Sequence, residues 1–165
     1  MIKIYTDGSC RGNGKEDSTG GYGIVIFKDN VLIDYCCYQY KCENITNNKM
    51  ELLAILHAFE IAQMPEYKNE ICIVYTDSSY CERICNDWIY KWARNNWKKK
   101  DNKDIENLSF IQSLYKYLNI DFFNCQVKKC DGHIGILGNE LADALATNNI
   151  ERFNKIIKDN NIKFD

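Results

Sequence analysis

The spacing of the apolar residues changes abruptly near residue 46, and that change constrains the fold more than any other feature of the chain. Before it, three β-like runs follow one another, at 2–6, 22–28 and 31–40. Gly20-Gly21 leads into the second, and Asp29-Asn30 turns the chain into the third. Three strands joined by short turns predict an antiparallel meander. After it, "NITNNKMELLAILHAFEIAQMP" places Met50, Leu53, Ala54, Ile55, Ala58, Ile61 and Ala62 at helical spacing. Thr46 or Asn47 can cap that helix, and Pro65 stands where it should stop.

The remaining segments alternate. The nearly continuous apolar run 70–76 reads as a strand buried on both faces, as in parallel sheets. Residues 80–90 and 107–118 carry helical patterns, and 122–128 is strand-like. Residues 139–157 read as a helix with a break near 147–149. The order β-β-β-α-β-α-α-β-α predicts a mixed α/β layer fold, a meander extended by strands that arrive through helices. No linker, repeat or low-complexity tract interrupts the 165 residues. One domain over 1–165 is therefore expected, with 150–165 as a tail or helix extension.

Composition excludes some classes. Hydrophobic content of 45% and charged content of 27% suit a globular protein. No apolar run approaches the ~20 residues that span a bilayer, and the N-terminal apolar stretch is too brief for a signal peptide. The nine cysteines are odd in number and include no Cys-x-x-Cys pair, so neither a disulfide framework nor a zinc knuckle is signalled. Most lie in apolar patterns, where a thiol acts as a small hydrophobe. A reducing intracellular compartment is expected: the cytoplasm, with the nucleus or a virus factory also compatible.

The chemistry lies in four acids. "KIYTDGSC" and "IVYTDSSY" both close a β-like run with Tyr-Thr-Asp, delivering Asp7 and Asp77. Strands one and four can be neighbours in such a sheet. Glu51 shares a helix face with Ile55 and Ala58, and Asp143 is flanked by apolar residues in "GNELADALA". Singly, each acid reads as a turn or solvated residue. Together, four acids from four elements repel one another unless cations intervene. Hard divalent ions with oxygen ligands suit such a set. Two of them ~3.5–4 Å apart can activate water and stabilise the leaving oxygen of a phosphodiester.

The strings "YTDGSCRGNG", "GGYGIV", "TNNKMELLA", "YTDSSY" and "GHIGILGNELADALA" resemble, in order, the motif set of type 1 ribonuclease H. The resemblance runs from Ile2 to Ala146 and is bacterial-like, without an N-terminal hybrid-binding domain. It implies a ribonuclease H-like mixed five-stranded sheet, three antiparallel strands extended by parallel ones and flanked by helices. It also implies an endonuclease that hydrolyses the RNA strand of RNA–DNA hybrids with two Mg²⁺ ions, or Mn²⁺ in their place. Little sequence specificity, and 5′-phosphate and 3′-hydroxyl ends, would follow. By the same resemblance Asp7 bridges both ions, Asp143 completes the site of the attacking water, and Glu51 and Asp77 complete the site beside the leaving oxygen. His133, between Gly132 and Gly135, matches the family's histidine on a mobile loop, and imidazole exchanges protons near neutral pH. His57, inside the helix pattern, reads as structural.

Substrate contacts are implied in two places. Asn13 and Thr46 match contacts to a DNA-strand phosphate, and Asn47 and Asn48 would read the minor groove. A helix N-terminus favours phosphate independently of any family, although helix capping explains the Asn cluster as well. "WIYKWARNNWKKKDNK" sets Lys91, Arg94, Lys98, Lys99, Lys100 and Lys103 against Asp101, with Trp97 among them. Such a patch binds phosphate even in a chain of net charge −2. Departures from the family pattern include Ser79, Ile111 and Lys129, and none removes an acid.

A monomer without an obligate protein partner or membrane contact is expected. Two other readings compete: a related acid-rich nuclease such as an integrase or exonuclease, and a catalytically silent binding module. The first would lack the Thr-Asn-Asn-x-Met-Glu string, and the second would have lost an acid. Met1 directly before the first strand favours a free-standing protein over a piece of a polymerase.

Overall fold

The structure is a computed structural model, and it describes residues 1–12, 18–41, 44–121, 123–131 and 136–164. Strands β1 (Ile2–Arg11), β2 (Thr19–Lys28) and β3 (Val31–Lys41) form the expected antiparallel meander. Helix α1 (Asn47–Ala62) then leads to β4 (Cys72–Thr76). Helix α2 (Ser79–Arg83) runs through a π-helical segment (Ile84–Trp88) into α3 (Ile89–Arg94). Helix α4 (Leu108–Leu118), strand β5 (Cys125–Lys129), α5 (Leu137–Ala146) and α6 (Ile150–Asp159) complete the chain. The sheet order is β3-β2-β1-β4-β5, with β4 parallel to both β1 and β5. The mixed five-stranded sheet expected from the sequence is present.

Alternation along β1 divides the core in two. Ile2 and Ile4 point with Ile24, Ile26 and Val74 toward α1, where Leu52, Ile55 and Phe59 are fully buried. Burial of one such side chain contributes ~1.5–3 kcal/mol. On the opposite face, Val25 and Leu32 pack with Leu141, Leu145 and Phe153 of α5 and α6, and Tyr5 and Phe27 cover them. Helices thus lie on both faces of the sheet. Cys72, Cys81 and Cys85 sit in the first core as small hydrophobes.

Several boundaries differ from those the sequence suggested. β1 continues past residue 6 because the polar Gly8–Arg11 segment keeps pairing with β2, ending at Arg11↔Thr19. β4 starts at Cys72, not residue 70, because Glu70 pairs instead with the terminal ammonium (3.0 Å) and with Lys28 (2.9 Å). β5 is correspondingly short, since its ladder to β4 opens only at Cys72↔Cys125. The helical stretch expected at 80–90 covers 79–94. The expected break after α5 is a turn in which Asn148 adopts a positive φ of 55°. No helix among the described residues is long and apolar enough to cross a membrane.

Candidate active site

Asp7 does not end its strand, as the sequence suggested; it is the first residue beyond the parallel half of the pairing. The β1–β4 ladder stops at Thr6↔Thr76, while Asp7 still pairs with Gly23 of β2. Asp77 follows β4 at the same level. The central sheet therefore parts just where the two Tyr-Thr-Asp segments end, and both carboxylates face the notch. Thr76 shapes the exit by accepting a hydrogen bond from Ser78 N–H (3.1 Å), and Ser78 in turn caps α2.

Glu51 and Asp143 reach the notch from opposite faces because two glycines let their helices approach. A Cβ on Gly8 would lie 2.3 Å from Glu51 N and 2.5 Å from Met50 C. A Cβ on Gly23 would lie 2.3 Å from the carbonyl oxygen of Ala142 and 2.6 Å from Leu145 Cβ. Only a residue without a side chain permits such contact between a strand and a helix backbone. The first glycine admits α1 and the second admits α5.

The result is a carboxylate cluster. Asp7, Glu51 and Asp77 each offer an oxygen within 4.8 Å of the others. Asp7 also feels the carboxyls of both Asp143 and Glu51. Asp7 and Glu51 are buried, and one Glu51 oxygen, Oε2, has no hydrogen-bond partner. Burial, then the neighbouring charges of Asp77 and Asp143, push the Asp7 carboxyl up to about 8, although a backbone bond from Gly8 pulls the other way. Glu51 is raised well above its ordinary value by burial and by Asp7 and Asp77. A buried oxygen without a partner is costly, and so are like charges at this spacing. The donor set is all carboxylate oxygen, which suits a hard divalent cation rather than a soft one.

Two residues that sequence reasoning missed hold the acids. Asn139, almost wholly buried, donates from Nδ2 to Asp77 Oδ2 (3.5 Å) and accepts from the Cys130 thiol (3.5 Å). Arg152 of α6 makes an ion pair with Asp143 Oδ2 through Nη1. A buried Asn in an apolar helix was the available signal for the first. Nothing in the sequence spacing marked the second.

The substrate-contact residues divide. Thr46 caps α1, its hydroxyl accepting from Lys49 N–H (3.2 Å), and Asn47 and Asn48 are exposed on the first turn. The segment before α1 is fixed by Ser18 Oγ, which accepts from Ile45 N–H (3.0 Å), and by the Cys10 thiol, which donates to Ile45 O (3.2 Å). In the basic segment, Lys91 pairs with Asp87 (2.7 Å), Lys98 with Asp104, and Lys103 with Asp101 (2.6 Å). Asp87 and Asp104 flank the segment and lie outside the string read as basic. Arg94, Lys99 and Lys100 have no ion pair among the described residues. Trp97 packs edge-on against Tyr115 with centroids 5.2 Å apart, half-buried beside the core. His57 contacts the rings of Tyr22 and Tyr38, the structural place expected for it. Asn13 and His133 lie outside the described residues.

A mixed five-stranded sheet with carboxylates gathered where its central strands part defines an acid-centred α/β protein whose carboxylates could hold a metal ion. The family model for RNase H matches residues 1–151 of this chain. Ribonuclease H of Orientia tsutsugamushi is 36% identical over 160 residues, 96% of this chain and 88% of that protein. Ribonuclease H of Thermoanaerobacter sp. strain X514 is 36% identical over 155 residues, 92% of this chain and 91% of that one. Among solved structures, the PFV RNase H domain is similar with a TM-score of 0.73 at 25% identity, over 90% of this chain and 93% of that chain. The chain belongs to the RNase H family, and its motif set is that of the type 1 members.

Proposed function

We propose that the protein hydrolyses the RNA strand of RNA–DNA hybrids as a monomer, with two Mg²⁺ ions, leaving 5′-phosphate and 3′-hydroxyl ends. The observation that carries this reading is the meeting of four carboxylates from β1, α1, α5 and the residue after β4, one of them with a buried oxygen lacking a partner. Family membership gives the reaction class, and the relatives named above are ribonucleases H.

Asp7, Glu51, Asp77 and Asp143 would hold the ions. When bound, the ions would supply Lewis acidity and lower the pKa of water. The chain's own residues do the rest. Asn139 keeps Asp77 turned into the notch, and Gly8 and Gly23 keep the two helices close enough to present Glu51 and Asp143. Thr46, Asn47 and Asn48, at the N-terminus of α1, would receive phosphate and groove edges. Recognition through shape and 2′-hydroxyls gives little sequence preference. Lys91, Arg94, Trp97, Lys98, Lys99 and Lys100 would line the path of the DNA strand. His133, ten residues before Asp143 in the sequence, is suited to carry a proton near neutral pH.

The test is cleavage of an end-labelled hybrid in Mg²⁺, beside Asp77→Asn and a chelated control. Only the RNA strand should be cut, its fragments should be substrates for 5′-phosphate-dependent ligation, and Asp77→Asn should lose at least ~10²-fold in rate. Tight binding without cutting would favour the silent binding module instead.

A further inference from the structure

Resting on the metal-site reading above, we propose that Arg152 is a positioning residue that acts as a built-in counter-charge for Asp143 and thereby sets how much divalent cation the site requires. Among the described residues it is the one cation paired with any of the four acids. Its placement is built into the fold. The turn after α5 ends at Asn149, whose Oδ1 accepts from Arg152 N–H (3.0 Å) and so starts α6 with Arg152 in its first turn. Phe153, the next residue, is buried against Tyr35 with ring centroids 4.7 Å apart. That anchor leaves the arginine facing back toward α5. Thr147 tightens the same turn by donating to Asp143 O (2.8 Å).

The physical consequence follows from where the positive charge sits. Asp143 is only slightly exposed and its charge acts on Asp7, so without a cation it adds to the repulsion within the cluster. The guanidinium offsets that repulsion through its charge. A divalent ion arriving at Asp143 meets a carboxylate whose Oδ2 is already engaged. Whether it binds through Oδ1, shares Oδ2 or displaces the arginine, it is repelled by the neighbouring guanidinium. Arg152 thus stabilises the ion-free site and weakens the ion beside Asp143.

The test is Mg²⁺ binding to the substrate-free protein, by calorimetry and by the rise of Tm with Mg²⁺, in the parent, Arg152→Gln and Arg152→Lys. Arg152→Gln should bind Mg²⁺ about tenfold more tightly, as expected for losing a partly exposed like charge next to the ligand. Its Tm in chelator should fall. Arg152→Lys keeps the charge and should stay within about twofold of the parent. In an Asp143→Asn background, Arg152→Gln should change Mg²⁺ binding little, because the carboxylate through which it acts is gone. Unchanged or weaker binding in Arg152→Gln, where the parent binds Mg²⁺ normally, would overturn the inference and leave the metal-site reading standing. A parent that binds no Mg²⁺ would overturn both. Should Arg152→Gln fail to fold, a shift for Arg152→Lys beyond tenfold would overturn the inference alone.

Discussion

Asp7 is the residue on which the largest opposing influences act. Its carboxyl is displaced from 3.8 to about 8 by burial and by two acid neighbours, and Glu51 is displaced in the same direction. In the metal-free protein the unfolded chain releases this proton near pH 4, whereas the folded chain keeps it until about pH 8. Stability therefore falls as pH rises across that window. In chelator, Tm should drop between pH 5 and pH 8, and Asp7→Asn should flatten the decline and raise Tm at pH 8. Thermal melts at several pH values check this; an unchanged slope in Asp7→Asn would show that the acids are better solvated than their burial indicates. Saturating Mg²⁺ should also flatten the parent's slope. All four acids could be found in the sequence, because each closes a β-like run or interrupts an apolar face. Their partners could not. Asn139 and Arg152 act through contacts between elements, and a helical residue nine places after Asp143 carries no local sign of facing it.

Among the elements, α5 has the most exacting seat. Gly23 admits its backbone, and any side chain there meets the Ala142 carbonyl. Gly23→Ala should cost ~1–3 kcal/mol of stability through overpacking. Because α5 carries Asp143, displacement should cost activity more than stability, up to ~10²-fold for a shift of about 1 Å. Denaturant unfolding read beside cleavage rates separates the two, and a variant that loses stability without losing rate would contradict this seating. The meander, α1 and the split between α5 and α6 were legible from periodicity and turn residues. The ends of β1 and β4 were not. Periodicity follows apolar residues, whereas β1 runs on through polar ones by backbone pairing, and Glu70 leaves β4 for charge partners that the fold brings to it.

Over the whole molecule, the net charge of −2 conceals a basic segment, and the fold reduces it further. Three of its six cations face Asp87, Asp101 and Asp104, two of which the sequence reading left out of the patch. Joint replacement of Arg94, Lys99 and Lys100 by Ala should weaken hybrid binding on all sequences alike. It should lower the slope of log K against log salt by roughly 2–3, at ~0.9 per phosphate contact. The same change at Lys91, Lys98 and Lys103 should have a smaller effect. Anisotropy titrations across salt concentrations check both, and equal slopes for the two triples would mean that the aspartates do not compete with phosphate. The sheet order has a consequence in time. β1 is the first strand to leave the ribosome, yet it lies at the centre of the sheet, and the companions of its aspartate arrive from residues 51, 77 and 143. Contacts so far apart in sequence close late. A nascent chain therefore carries Asp7 through most of its synthesis without its acidic companions, and on the proposed four-acid site the ability to cut nucleic acid would be acquired only when α5 docks.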